Sequence, residues 1–212
     1  MKRNLTFEEI SDGHKYTAED MVKVSCQDCK GCFECCKVTD DTIHLDPYDI
    51  FELSKGLNSN FTKMLNDGII NLTVVDGVIT PYLCKKPDTH TCSFLSDEGR
   101  CLIHDFRPGF CRLFPLGRIY DDEGDFKYFI QVHECPYPNK TKVKVKKWLG
   151  IPSLSKYEQF IKSWHQITKN ISDCALENPD AAKRANMQML ETYFVSCPAS
   201  GDFFAWFRLP AN

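Results

Sequence analysis

Residues 26–37 read CQDCKGCFECCK. Cys26, Cys29, Cys32 and Cys35 fall at three-residue steps, and Cys36 adjoins the last of them. Two cysteines separated by two residues can bend their thiolates toward one ion, which is why this spacing recurs in zinc sites and iron–sulfur loops. Repeated this densely, it points to a loop module organised around thiolates. Cys26, Cys29, Cys32 and Cys36 also reproduce the CxxCxxCxxxC spacing of bacterial ferredoxins. Lys37, however, replaces the proline that usually follows and the run has no second copy, so a ferredoxin proper is not supported. Adjacent Cys35 and Cys36 are expected to aim both sulfurs at one tetrahedral zinc only with distortion, and to suit a polynuclear cluster or two neighbouring centres.

Further along, CSFLSDEGRCLIHDFRPGFCRLFP contributes Cys92, Cys101 and Cys111, and Cys135 follows. Isolated cysteines are commonly buried as small apolar residues, so spacing alone leaves ligation and packing both open here. Gly99 and the Pro108-Gly109 pair make tight loops of the kind that gather thiolates around an ion. Cys84, Cys174 and Cys197 read as structural, with Cys174 near the apolar face of a helix.

Around the cysteines, the first 25 residues are polar and weakly patterned, an arm or a packed-over lead-in. Asp46 caps and Pro47 opens a short helix that Gly56 suits to end, and a second helix is plausible over residues 61–66. Asp76-Gly77 lies between two β-rich runs, a hairpin signal, and LGRIYDDEGDFKYFIQV reads as two strands around a polar turn. Lys140, Lys142, Lys144, Lys146 and Lys147 alternate with Val143 and Val145 as a strand with a wet, lysine-guarded edge. Beyond Pro152 the period changes: Tyr157, Phe160, Ile161, Trp164, Thr168 and Ile171 make one helix face, and Asn178-Pro179 starts another helix running to about Val195. The aromatic tail GDFFAWFRLPAN reads as a segment docked on the body.

The expected fold is therefore α+β: one domain over residues 1–212, with an irregular cysteine-rich loop-and-hairpin metal module over 26–150 and a helical extension over 151–212. A net charge of −3 gives no basic footprint for nucleic acid. With no signal-peptide-like N-terminus and no apolar run of membrane-spanning length, a cytoplasmic protein is expected, where dense cysteine means metal or redox chemistry. Motifs for serine hydrolases, P-loops, dinucleotide binding and zincins are absent. Arg107 and Arg112, which flank Cys111, are expected to pair with Asp46, Asp49, Asp97 or Asp105, the other reading being an anion or a thiolate centre. His104 and His133 are expected to be non-ligands.

Taken in order, these residues resemble the YkgJ-like cysteine-cluster family, regarded as zinc- or iron-chelating proteins. Its CxxCxxCC pattern is present as Cys29, Cys32, Cys35 and Cys36, followed by a helix start, LDPYDI. The rest of the pattern matches Cys92, Cys101, Arg107, Pro108, Cys111, Arg112, Phe114, Pro115 and Cys135. The resemblance implies a metal set of Cys29, Cys32, Cys35, Cys36, Cys92, Cys101, Cys111 and Cys135, and leaves Cys26 outside. An iron–sulfur cluster of the 4Fe-4S kind is expected, with zinc as the alternative, and an unidentified protein or redox partner. Flagellin lysine N-methylases carry a similar cysteine module. This chain is much shorter and has no evident methyl-donor loop.

Overall fold

A computed structural model of the chain describes residues 6–26, 32–37, 43–89 and 91–207. Its first elements are a turn of helix, α1 (Phe7–Ile10), and a strand, β1 (Met21–Ser25). Val22 and Val24 of β1 are fully buried, so the polar N-terminal stretch is a packed-over lead-in and not a free arm. β1 pairs antiparallel with β6 (Thr141–Lys144), inside the lysine-rich run. The alternation expected there stops halfway: Val145 opens a helix, α6 (Val145–Leu149), and is buried in the core. Lys144 and Lys146 close on Glu19 at 3.2 and 2.7 Å, so the edge is guarded by ion pairs as well as by lysine charge.

After the one-turn helix α2 (Glu34–Lys37) come α3 (Pro47–Leu57) and α4 (Phe61–Asn66). Asp46 and Asp49 form a capping box at the start of α3, each carboxylate accepting the other's backbone N–H. The helix runs past Gly56 and ends on Asn58, whose φ of 49° supplies the left-handed cap. Gly56 answers a different need, because a Cβ there would strike the Phe106 ring. Asp76 and Gly77 both have positive φ (48° and 80°), the geometry a two-residue hairpin needs, and they join β2 (Ile70–Val75) to β3 (Val78–Leu83). Next come α5 (Gly109–Leu113) and the hairpin of β4 (Leu116–Tyr120) with β5 (Phe126–Ile130). Among the described residues there are three sheets, each of two strands.

The last third is helical as the sequence predicts: α7 (Leu154–Glu177), then α8 (Pro179–Leu190), which is prolonged by a π-helical turn over Glu191–Val195. Two apolar clusters result. One gathers α3, α4, the β2–β3 hairpin and α8, and the other gathers β1, the β4–β5 hairpin, α6 and the start of α7. Trp164 on α7 packs against both. Phe203, in the short helix α9 (Phe203–Trp206), is 1% exposed against Tyr48, Phe51 and Phe160, so the aromatic tail docks as far as residue 207. Among the described residues, no helix is long and apolar enough to cross a membrane.

Candidate metal centre

The two cysteine groups, 55 residues and more apart in sequence, are stitched together by the backbone. α2 places Cys35 and Cys36 side by side, with the Cys36 N–H on the Phe33 carbonyl, and the Cys92 N–H donates to the Cys36 carbonyl at 2.9 Å. The Cys92 loop is itself pinned: Ser93 donates to the Cys84 carbonyl through both N–H and hydroxyl, and Lys86 Nζ donates to the Leu95 carbonyl at 2.7 Å. Cys101 returns alongside through a bridge to Leu95. The turn between them needs Gly99, whose φ is 73° and whose added Cβ would lie 2.8 Å from the Phe33 ring.

Cys111 arrives on α5, anchored from below by the Gly109 N–H bonded to Asp49 Oδ1 at 2.6 Å. Arg112 is 8% exposed and brackets the preceding turn, donating from Nε to the Arg107 carbonyl and from Nη2 to the Asp105 carbonyl. It is therefore a loop clamp, not the ion-pair partner expected of it.

Electrostatically, Cys35, Cys36, Cys92, Cys101 and Cys111 behave as one group. The Cys36 thiol lies 4.0 Å from Cys35 Sγ and also bonds Cys92. That shared donor draws Cys35 and Cys92 down to about 7, while Cys36 itself is pushed up by the two bonds, by burial and by its neighbours' charge. Burial raises Cys101 and Cys111, and the Cys92 and Cys35 charges add to it in both. Arg107 opposes this: its charge favours the thiolates of Cys35 and Cys101. Its Nε is buried without an acceptor among the described residues, and it contacts His104. No aspartate pairs with Arg107 among the described residues, so the thiolate-facing reading replaces the expected ion pair.

Cys32 and Cys135 lie elsewhere, around a cavity of about 20 Å³ shared with Cys35 and Trp148. Cys26 lines it too and is 1% exposed. The family-like pattern had left Cys26 out, yet its place at the head of the CxxCxxC run was the signal that it belongs with Cys32. Lys140 Nζ donates to the Cys135 carbonyl at 2.6 Å and holds that loop. Cys29 lies outside the described residues. His133 is exposed, and His104 sits beside Arg107 on a turn of 3₁₀ helix. Cys197, pushed up to about 12 by burial, donates to the Pro47 carbonyl, and Cys174 caps the end of α7 through the Asn178 carbonyl. Among the described residues no cysteine is in a disulfide, and no three ligand-type side chains close on a single ion position.

The 4.0 Å separation of Cys35 and Cys36 bears on how adjacent cysteines could share an ion. With Zn–S bonds of about 2.3 Å, a tetrahedral ion has sulfur–sulfur edges of about 3.8 Å. Adjacent residues on a one-turn helix can thus present both sulfurs at a zinc-compatible spacing.

Thiols drawn from five separate segments, several of them in apolar surroundings and one arginine facing them, are side chains of the kind that ligate zinc or iron. The chain belongs to the CxxCxxCC family, described as "Putative zinc- or iron-chelating domain", which it matches over residues 28–146, more than half its length. No curated protein and no solved structure matches the chain.

Proposed function

We propose that the protein carries an iron–sulfur cluster on its cysteine constellation and works in electron transfer or in a reaction that depends on the cluster. The observation that carries this reading is the gathering of five thiols, Cys35, Cys36, Cys92, Cys101 and Cys111, into one electrostatically linked group. A mononuclear tetrahedral zinc takes four ligands. Cluster potential is set by burial and by charge and hydrogen bonds near the sulfurs, and the Arg107 guanidinium is placed to supply that charge. A protein redox partner is part of this reading.

Zinc is the second reading, favoured by the 4.0 Å spacing of Cys35 and Cys36. Anaerobic purification with iron, zinc and acid-labile sulfide analysis separates the two. Brown protein with iron and sulfide in equal amounts is the expected result. A colourless preparation with stoichiometric zinc and no labile sulfide overturns the cluster.

A further inference from the structure

A second and larger cavity, of about 160 Å³, opens between α3, β3, α5, β4 and α7. Its two charged walls carry opposite signs. Arg118 of β4 lies on one side, with its Nη2 donating to the Tyr157 hydroxyl at 3.2 Å and its guanidinium packed near the Phe126 and Tyr157 rings. Its Nε is buried and finds no acceptor among the described residues. On the other side stand Asp46 and Asp49, at the start of α3. Both are pushed upward by burial, Asp46 to about 6. Among the described residues the ion pairs are all made by lysines, so Arg118 and the two aspartates share a cavity without closing on each other.

The Arg118 charge already favours the ionised carboxylates across the cavity, but no ion pair closes there and the buried Nε donor is left unused, which is costly unless something supplies an acceptor. We infer that this cavity binds a small zwitterion, a molecule the size of a simple amino acid, with its carboxylate on Arg118 and its ammonium toward Asp46 and Asp49.

Three considerations select this class. A polyanion such as phosphate would suit Arg118 but meet the aspartates with like charge, and a metal cation would suit the aspartates but meet Arg118. Only a ligand bearing both signs satisfies both walls. The volume is near the about 150 Å³ that accepts a benzene-sized molecule, which limits the ligand to about nine non-hydrogen atoms or fewer. The remaining lining, Trp164 among it, is mostly apolar, which fits a short aliphatic middle. A carboxylate can also engage a guanidinium through two parallel hydrogen bonds, and the orphaned Nε is one of the donors such a fork uses.

The test is calorimetric titration of the full chain with glycine, L-alanine, β-alanine and γ-aminobutyrate. Butyrate and butylammonium serve as single-charge controls of about the same size. At least one zwitterion should saturate and bind at least about tenfold more tightly than either control, consistent with two charged contacts in place of one. Arg118→Gln should abolish that binding. Because Arg118 also packs on two rings, Thr80→Phe provides an independent variant: it narrows the cavity from β3 and leaves Arg118, Asp46 and Asp49 in place, and it too should abolish binding. The proposal is overturned if no zwitterion saturates, if a single-charge control binds equally well, or if folded Thr80→Phe protein binds as the parent does.

Discussion

Replacing Asp49 with alanine removes the acceptor of two backbone donors at once, the Gly109 N–H at 2.6 Å and the Asp46 N–H at 3.1 Å. Asp49 is 3% exposed, so neither donor gains ready access to bulk water. A buried donor left unsatisfied costs about 1–3 kcal/mol, giving about 2–6 kcal/mol for the pair. Two effects reduce this. Water can enter from the adjoining cavity, and the variant no longer buries a carboxyl group. The net loss is placed at about 2–4 kcal/mol. Its pH dependence has a definite sign. Burial, then the Asp46 charge, holds the Asp49 pKa well above the usual carboxylate value in the folded protein. The native state therefore keeps a proton that the unfolded chain has lost, and this group's contribution to stability falls as pH rises above about 4. Alanine does not titrate, so the deficit should be largest near about pH 5 and shrink toward about pH 8. Urea unfolding followed by tryptophan fluorescence, at both pH values and one metal load, measures it. A deficit below about 0.5 kcal/mol near pH 5, or one that grows with pH, would refute the reasoning.

Cys26→Ser should lower bound metal although Cys26 is outside the family-like pattern, because the residue lines the small cavity with Cys32 and Cys135. Cys174→Ser should leave metal content unchanged, and elemental analysis of both variants decides. Asn186→Ala removes the acceptor of the Ile79 N–H (2.7 Å) and a donor to the Gly77 carbonyl (2.9 Å), at a residue 4% exposed. It should cost about 2–3 kcal/mol and speed amide exchange in the β2–β3 hairpin, and unchanged exchange there would count against the clamp. Gly99→Ala combines a positive φ of 73° with a 2.8 Å approach to Phe33. A loss of about 1–3 kcal/mol together with weaker metal retention is expected, read from unfolding curves and from competition with a chelator.

Much of the fold is legible where a local rule fixes it. Asp46-Pro47, Asp76-Gly77 and Asn178-Pro179 each carry their own backbone instruction, and α3, the β2–β3 hairpin and α8 begin or turn where these pairs stand. What escapes is set by partners distant in sequence. β1 looks like a polar lead-in because only Val22 and Val24 face the core, and their burial depends on pairing with β6 some 120 residues later. Val145 leaves the lysine strand because it is buried in the core as the first residue of α6, which no alternation could reveal. The constellation is legible as a set of cysteines, since spacing records chemistry. Its division is not: the Cys92–Cys36 backbone bond and the separate cavity of Cys26, Cys32 and Cys135 are products of loop geometry. Arg107 and Arg112 look alike in sequence, yet one faces thiols and the other clamps carbonyls, because Arg112 is on α5 and Arg107 precedes it.

The cysteine-bearing loops are less firmly held than the hairpins and helices, which pack into the two apolar clusters. A two-stranded hairpin is marginal alone in water, and among the described residues none of the three sheets has a third strand. The helical third is different: α7 and α8 carry long apolar faces into both core clusters and depend on no cysteine for their packing. Metal binding and folding are coupled where ligands come from loops that are otherwise weakly ordered. The loops at Cys32–Lys37, Cys92–Cys101 and Cys135 meet this condition, tied across by few backbone bonds and by the thiols. Removing the metal should therefore loosen these loops first and leave α7 and α8 folded. The connection between the two levels is the Asp49–Gly109 hydrogen bond, which ties the start of α3 in the packed body to the helix that delivers Cys111. Asp49 also lines the Arg118 cavity, so a ligand that orders Asp46 and Asp49 should steady Cys111 through this bond, and metal loss should be felt in the cavity.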